Sequence, residues 1–258
     1  MAKFAANLTM LFTEVPFIER FAHAHDAGFK AVEYLFPYAF DAKELAGELK
    51  RFDMEQALFN MPPGNWDAGE RGFAAIPGRE DEFKASVETA VEYALTLNCK
   101  KVHAMSGIVN VDFSYEQHVA TFISNIRYAA DAFAKHGIEL LIEPLNTRDV
   151  PGYFIAHQRD AVELIKQVDR PNVKLQLDLY HAQIMDGDLT TLIRDLADYT
   201  GHIQIASVPD RHEPFDGEQN YPHLFNVLDE SGYQGWIGCE YNPRGTTIEG
   251  LEWVKPYL

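Results

Sequence analysis

The chain has 258 residues, of which 47% are hydrophobic, and a formal net charge of −17 at pH 7. This length allows two small domains or one (β/α)8 barrel of about 250 residues. The acidic balance argues against a nucleic-acid partner and against binding to an anionic membrane surface, because both need basic patches.

Strand-like and helix-like hydrophobic patterns alternate along the whole chain. Short apolar runs predict eight strands, at residues 3–8, 31–35, 54–59, 101–104, 138–142, 173–177, 202–206 and 236–239. Amphipathic patterns predict helices near residues 16–27, 41–51, 80–97, 114–135, 158–168, 188–199, 220–231 and 246–254. Gly28, Gly137 and Gly232 stand where helix C-caps are expected, and Ser114 with Gln117 resembles a capping box.

Eight strand–helix repeats of about 32 residues predict an α/β fold, a single closed (β/α)8 TIM-barrel domain over residues 1–258. The alternative is an open doubly wound sheet, which usually has a glycine-rich turn after its first strand. The corresponding stretch here, NLTMLFTEVP, has no glycine, and no GxxxxGK[ST] motif occurs. Dinucleotide and nucleotide binding are therefore weakly supported.

Features of the whole chain favour a soluble, cytoplasmic protein. The only two cysteines, Cys99 and Cys239, lie in or beside apolar stretches, and we expect reduced, buried thiols. The first residues, MAKFAANLTMLF, are interrupted by Asn7 and Thr9 and do not match a secretory apolar segment. No apolar run approaches the roughly 18 residues of a membrane span.

Two predicted strand-to-helix connections, at residues 60–81 and 207–219, are longer than ordinary turns. Structureless loops beyond about 12–15 residues are usually functional or disordered. The composition of these loops is not typical of disorder, since the first contains Trp66 and Arg71 and the second contains Arg211. Both loops follow odd-numbered strands on the face where barrel enzymes have their sites, so we expect a lid over a small polar substrate.

The fifth to eighth predicted strands each carry an oxygen-bearing side chain at or near the carboxyl end, namely Glu143, Asp178, Gln204 and Glu240. Alone, each is more commonly a solvated loop residue. A barrel would bring all four to one axis, where carboxylates repel each other unless a cation or proton lies between them. These oxygen ligands suit Mg²⁺ or Mn²⁺ better than Zn²⁺, which prefers His and Cys.

Two histidines lie near this predicted cluster, and none of the ten has the spacing of a zinc site. For His202 we favour an interior barrel histidine below the site. For His181, a substrate-binding or ligand-supporting role and a buried structural role both stay open.

Such a cluster could catalyse proton transfer. A divalent ion chelated by adjacent oxygens of a hydroxy-carbonyl compound acidifies the C–H between them. Two carboxylates could then remove that proton and return it to the neighbouring carbon through an enediolate. The reaction would be an intramolecular oxidoreduction, or an epimerisation if the proton returns to the same carbon.

The motifs around these residues resemble the hydroxypyruvate isomerase family of xylose-isomerase-like TIM barrels. They are EPLN at 143–146, DLYHAQ at 178–183, HIQIA at 202–206, RHEP…GE at 211–218 and GCEY at 238–241. ANLTMLF, VEYLFPY, AGERG…IPGRE and GLEWVKPY extend the resemblance nearly end to end. Within the family, the match is close to the 2-oxo-tetronate isomerases, which act on four-carbon sugar acids.

The resemblance implies that Glu143 and Glu240 are both proton donor/acceptors and metal ligands, with Asp178 and Gln204 as the other ligands. Its expected reaction interconverts a 2-oxo-tetronate, such as 2-dehydro-erythronate, with its 3-oxo isomer. The related ketose epimerases have histidine where Gln204 stands, which favours Mg²⁺ over a softer ion.

A sugar-acid substrate also needs a partner for its carboxylate. Arg211 is the first candidate, because a guanidinium binds a carboxylate bidentately. His181, Arg71 and Trp66 are further candidates for substrate contact, although Trp66 could equally be lid packing. SVPDRHEP differs from the DNP-type stretch of hydroxypyruvate isomerases, which favours the tetronate substrate.

Several alternatives remain open from the sequence. The first is a hydroxypyruvate isomerase that forms tartronate semialdehyde, followed by a ketose 3-epimerase and a lyase similar to inosose dehydratases. A phosphodiesterase resembling endonuclease IV would need a histidine-rich zinc cluster and a basic groove. A non-catalytic binding scaffold is the last. The oligomeric state is also open, because Trp253 could pack on the barrel or on a second copy in a homo-oligomer.

Overall fold

The computed structural model describes residues 2–258, and its eight strands close into one barrel in the order β1 to β8. The strands are β1 (Lys3–Asn7), β2 (Ala31–Tyr34), β3 (Glu55–Asn60), β4 (Lys101–His103), β5 (Glu139–Ile142), β6 (Val173–Asp178), β7 (Thr200–Ile205) and β8 (Trp236–Cys239). Each strand pairs in parallel with the next, and β8 pairs in parallel with β1. The predicted (β/α)8 barrel is confirmed, and all carboxyl ends of the strands lie on one face.

Helices follow the strands as the amphipathic patterns predicted, with two differences. They are α1 (Arg20–Asp26), α2 (Ala42–Arg51), α3 (Glu80–Thr96), α4 (Tyr115–Ala134), α5 (Gln158–Val168), α6 (Leu179–Met185), α7 (Leu189–Leu196) and α8 (Tyr221–Glu230). The sequence did not predict α6, and the helix expected at 246–254 is a 3-10 helix over Ile248–Trp253.

The C-terminal aromatic residues pack on the barrel of their own chain. The Trp253 ring lies 5.2 Å from Phe4 and 6.4 Å from Phe225, and the Tyr257 ring lies 5.3 Å from Phe4. Of the two open possibilities for Trp253, packing on its own barrel is the one observed.

Strand alternation separates an apolar outer layer from a polar barrel interior. In β6, Leu175 and Leu177 belong to the main apolar core between sheet and helices. Gln176 and Asp178, two residues apart, lie on the opposite face of the strand and are almost completely buried. Because adjacent strands in a parallel barrel share this alternation, polar side chains from several strands meet inside.

Cys99 and Cys239 are buried and unpaired, as predicted. Among residues 2–258, no helix combines the length and apolar character needed to cross a membrane.

The capping box predicted at Ser114 is present at the start of α4. The Ser114 side chain accepts from the Gln117 backbone N–H, and the Gln117 side chain accepts from the Ser114 N–H. We expect Ser114→Ala to lower the free energy of unfolding by ~1 kcal/mol, because one helix N–H loses its acceptor. Urea denaturation would measure this loss, and an unchanged midpoint would show that the cap does not contribute.

Candidate active site

The four predicted strand-end residues lie at the carboxyl end of the barrel and are all buried. Their exposed fractions are 5% for Glu143, 0% for Asp178, 2% for Gln204 and 6% for Glu240. Asp178 on β6 is in register with Gln204 on β7, and the Glu240 backbone N–H donates to Ile205 on β7. The barrel therefore gathers side chains that are 97 residues apart in the sequence, from Glu143 to Glu240.

Glu143, Asp178 and His181 form a buried cluster of side chains of the types that bind metal ions. One ligand atom from each lies within 4.8 Å of the others. The Oε1 atom of Glu143 and the Oδ2 atom of Asp178 have no hydrogen-bond partner among residues 2–258. Because an unpaired buried carboxylate oxygen is costly, these two atoms indicate that a cation or proton belongs between them.

The electrostatics of the carboxylates agree with this interpretation. Burial, together with the charges of Glu240 and Asp178, raises the pKa of Glu143 well above its usual range. Burial raises the pKa of Asp178 to about 6, against the opposing effect of Arg211. A divalent cation would relieve this repulsion, so the donor set fits a metal ion that prefers oxygen ligands.

His181 reaches the cluster because α6 begins directly after β6. Asp178 is the N-cap of α6 and accepts from the Tyr180 backbone N–H at 2.8 Å. The His181 Nε2 atom lies 3.6 Å from Asp178 Oδ2 and 3.9 Å from Glu143 Oε1. One helical turn thus places the imidazole next to both carboxylates.

The protonation of His181 can be deduced from its partner on the other ring nitrogen. The Asn146 backbone N–H donates to His181 Nδ1 at 3.0 Å, so Nδ1 is an acceptor and the ring proton lies on Nε2. Burial and the nearby Arg211 lower the pKa of His181 well below 6.5, which keeps the ring neutral. His181 therefore presents an N–H donor to the cluster, and this tautomer does not suit metal ligation through Nε2.

Arg211 lies among the carboxylates. Its Nη2 atom is 2.6 Å from Glu240 Oε2 and 3.6 Å from Asp178 Oδ2, and its guanidinium stacks 4.8 Å over the Tyr180 ring. The backbone at Arg211 is left-handed, with φ of 58°, which is uncommon for a residue with a side chain. Its N–H donates to Ser207 and its carbonyl accepts from Asn242, so the surrounding loop holds this strained conformation.

Glu240 differs from the other two acids because both of its oxygens have partners. Oε2 accepts from Arg211, and Oε1 accepts from Asn7 Nδ2 at 3.4 Å. Burial nevertheless raises the pKa of Glu240 to about 8, with Arg211 acting in the opposite direction. A carboxyl group with a pKa near neutrality is suited to both accepting and returning a proton.

Gln204 belongs to a hydrogen-bond network inside the barrel. Its Nε2 donates to Glu33 Oε1 at 2.8 Å, and its Oε1 accepts from Gln176 Nε2 at 2.6 Å. His202 is an interior histidine, as we favoured, and its Nε2 lies 2.7 Å from Glu33 Oε2. Glu33 thus contacts both His202 and Gln204, which lie two residues apart on β7.

Two buried residues of this region, Glu33 and His103, were not predicted from the sequence. His103 Nδ1 lies 3.4 Å from Glu143 Oε2 and 3.2 Å from the Asn60 side-chain oxygen. Burial lowers the pKa of His103 to about 3, so the ring is neutral beside Glu143. The available signal was a charged or polar side chain between apolar residues, namely Glu33 in VEYLF and His103 in VHA.

Trp66 and Arg71 lie on the long loop between β3 and α3. Arg71 Nη1 donates to the carbonyls of Trp66 and Glu70, and its guanidinium stacks 3.8 Å over the Trp66 ring. Trp66 in turn packs on Phe36 and on an apolar cluster that includes Leu145, two residues after Glu143. Trp66 therefore contributes to a wall beside the end of β5, and Arg71 is held by its own loop.

The closed parallel barrel, with buried acids at the carboxyl ends of its strands, places this protein among the TIM-barrel proteins. The sequence pattern of the family described as xylose isomerase-like TIM barrel matches residues 21–257. The chain belongs to this family.

Three related proteins are similar to this chain over its full length. A 2-oxo-tetronate isomerase of Pectobacterium atrosepticum is 54% identical over 258 residues, covering 100% of this chain and 98% of that protein. A hydroxypyruvate isomerase of Escherichia coli is 48% identical over 257 residues, with 100% of each chain covered. A crystal structure described as AP endonuclease, family 2, from Brucella melitensis has a TM-score of 0.98 and 61% identity, covering 100% of this chain and 99% of that one. The resemblance indicated by the motifs is confirmed.

Proposed function

We propose that this protein is a metal-dependent isomerase of short hydroxy-keto acids, which interconverts a 2-oxo-tetronate such as 2-dehydro-erythronate with its 3-oxo isomer. The proposal rests on the convergence of two buried glutamates with raised pKa values, Glu143 and Glu240, around Asp178. The full-length 2-oxo-tetronate and hydroxypyruvate isomerase relatives support the same class of reaction. Residues 1–258 would act as one catalytic domain.

Glu143 and Asp178 would hold the divalent cation through their unpartnered oxygens, with Glu240 and the Gln204 amide oxygen as further ligands. Mg²⁺ is the expected ion and Mn²⁺ the alternative, because all of these ligands are oxygens. When bound, the cation would polarise the oxygens of the hydroxy-keto group and acidify the C–H between them.

Glu143 and Glu240 would move the proton between neighbouring carbons. Isomerisation needs a base for one carbon and an acid for the other, and these roles exchange in the reverse reaction. A glutamate that binds the cation through one carboxylate oxygen keeps its second oxygen free to take up the proton and return it. His181 would donate its Nε2–H to a substrate oxygen, because its tautomer leaves that N–H facing the cluster.

Arg211 would bind the carboxylate of the substrate. Its Nε atom is buried and has no partner among residues 2–258, so the guanidinium retains a donor for a ligand. We prefer Arg211 to Arg71, because the Arg71 Nη1 atom is already bonded to two carbonyls of its own loop.

Arg211→Ala tests this assignment. We expect KM for the keto acid to rise about 10- to 100-fold, because a hydrogen bond to a charged group contributes ~1.5–3 kcal/mol. KM for a neutral ketose of similar size should change little. Steady-state kinetics on both substrates would measure the difference, and equal losses on the two would contradict the carboxylate-binding role. Arg170→Ala, which removes a partly exposed arginine paired with Asp131, is the control.

A hydroxypyruvate isomerase is the second candidate, since the Escherichia coli relative of that name also aligns over its full length. The phosphodiesterase alternative, suggested by the description of the Brucella melitensis structure, is disfavoured. The one group of three metal-ligating acid, histidine or cysteine side chains found among residues 2–258 contains a single histidine. The formal charge of −17 would also repel a phosphate backbone.

The deciding experiment is an assay with a panel of three- to five-carbon keto acids, in EDTA and after addition of Mg²⁺. We expect metal-dependent conversion of a 2-oxo-tetronate to a product of equal mass. A product lighter by one water would indicate a lyase, and inversion at a single carbon would indicate an epimerase. Absence of turnover on every substrate with metal present would contradict the proposal.

A further inference from the structure

Glu33 is a buried carboxylate of the barrel interior that is neither a proposed metal ligand nor a proposed proton donor. It lies on β2 with an exposed fraction of 0%. Three side-chain nitrogens from β1 and β7 lie within hydrogen-bond distance of it: Asn7 Nδ2 at 3.0 Å, Gln204 Nε2 at 2.8 Å and His202 Nε2 at 2.7 Å. Burying a carboxylate is costly unless it is hydrogen-bonded, and these three contacts offset that cost and fix the Glu33 side chain in place.

The first consequence concerns the orientation of Gln204. Gln204 turns its NH₂ group towards Glu33, where Oε1 accepts the hydrogen bond. The amide oxygen then faces β6, the strand that ends at Asp178, where it accepts from Gln176. A carbonyl oxygen has two lone pairs, so one remains for a cation. Without Glu33, either end of the amide could face β6, and an NH₂ group cannot bind a metal ion.

The second consequence concerns Glu240. Asn7 Nδ2 donates to Glu33 Oε1 and also lies 3.4 Å from Glu240 Oε1. Glu33 therefore positions the Asn7 amide, which in turn contacts one oxygen of Glu240. Two of the four proposed metal ligands are linked to Glu33 through a single hydrogen-bonded network.

The third observation is that the barrel leaves space for Glu33 only because residue 238 is glycine. A Cβ atom at Gly238 would lie 2.3 Å from Glu33 Oε1 and 2.4 Å from its carboxyl carbon. Gly238 is in register with Gln204 on the neighbouring strand β7. The absence of a side chain at Gly238 on β8 thus allows the Glu33 carboxylate to lie close to Gln204.

We propose that Glu33 is a positioning residue of the metal centre, which orients the Gln204 amide oxygen as a ligand and holds Glu240 through Asn7. This inference rests on the proposed metal site. Glu33 itself would not contact the ion or the substrate.

Metal binding, measured by isothermal titration calorimetry with Mg²⁺ and with Mn²⁺, tests the inference without any assay of activity. We expect Glu33→Gln to weaken binding about 10- to 100-fold, as is typical when a residue that orients a metal ligand is replaced. Glu33→Asp keeps the carboxylate but shortens its reach, so we expect a smaller loss. Glu55→Gln is the matched control, because it removes a carboxylate that accepts from Trp236 at the amino end of the barrel.

A double-mutant cycle with Gln204→Ala separates positioning from a general loss of charge or packing. If Glu33 acts through Gln204, the effect of Glu33→Gln should shrink to a few-fold once Gln204 is alanine. An undiminished effect in that background would overturn the role of Glu33 in orienting Gln204. Wild-type affinity in a folded Glu33→Gln or Glu33→Asp variant would overturn the whole inference.

The outcome also separates this inference from the proposal on which it rests. If the wild-type protein binds neither Mg²⁺ nor Mn²⁺, the proposed metal site itself is wrong. If Glu33→Gln does not fold, as judged by circular dichroism and thermal melting, Glu33→Asp and its combination with Gln204→Ala decide the question.

Discussion

Replacing Glu240 by glutamine is expected to lower kcat by about 10²- to 10⁴-fold, the usual contribution of a positioned acid or base. Glutamine has the same shape but cannot take up a proton, so the step at one carbon would lose its base. The fold should persist, because the substitution removes a carboxylate whose ionisation is already disfavoured by burial. Turnover and circular dichroism together would measure both effects.

Solvent deuterium exchange gives the sharper test of the two-glutamate scheme. In D₂O, the wild-type enzyme should introduce deuterium into the product at the carbon that receives the proton. Glu240→Gln and Glu143→Gln should each suppress this incorporation along with turnover. Incorporation at the wild-type rate in Glu240→Gln would show that another group moves the proton. Glu55→Gln, far from the site at the start of β3, should behave as wild type.

Metal affinity is expected to rise with pH between roughly pH 6 and 8. Each proton that the cation displaces should contribute about a tenfold rise per pH unit. The structure raises the pKa of Asp178 to about 6 and that of Glu240 to about 8, in both cases mainly through burial. Below these values the carboxyl groups are protonated, and a cation must displace their protons before binding. Calorimetric titration at several pH values would measure the slope.

The same pKa values set the pH dependence of stability without metal. Because the folded pKa of Glu240 exceeds its ordinary value of 4.5, its contribution to stability is fully present below pH 4.5. That contribution is lost as the pH rises through about 8. Added Mg²⁺ should therefore raise the melting temperature more at pH 8 than at pH 5.5. Metal affinity that does not vary with pH would contradict this account, and Glu240→Gln should flatten its dependence above pH 7.

The order and boundaries of the strands could be predicted from sequence because local hydrophobic period specifies them. The expected strand at 138–142 and the observed Glu139–Ile142 differ by one residue, and the last expected strand agrees fully. The helix α6 was missed because it has seven residues and begins directly at the end of β6, where no loop separates the two patterns. The segment at 246–254 was predicted as an ordinary helix but contains a 3-10 helix, because hydrophobic periodicity does not distinguish the two in so short a segment.

The sequence by itself predicted the barrel and its polar carboxyl end. It also predicted that one oxygen-bearing side chain would lie at or near the carboxyl end of each of the last four strands. These follow from alternation and spacing, which act over a few residues at a time. Only the tertiary structure decided that Arg211 lies against Glu240, that His181 presents an N–H donor, and that Glu33 accepts from Gln204 across 171 residues of chain. Such contacts depend on loop conformation and on how side chains from non-adjacent strands meet inside the barrel, which the local hydrophobic pattern does not specify.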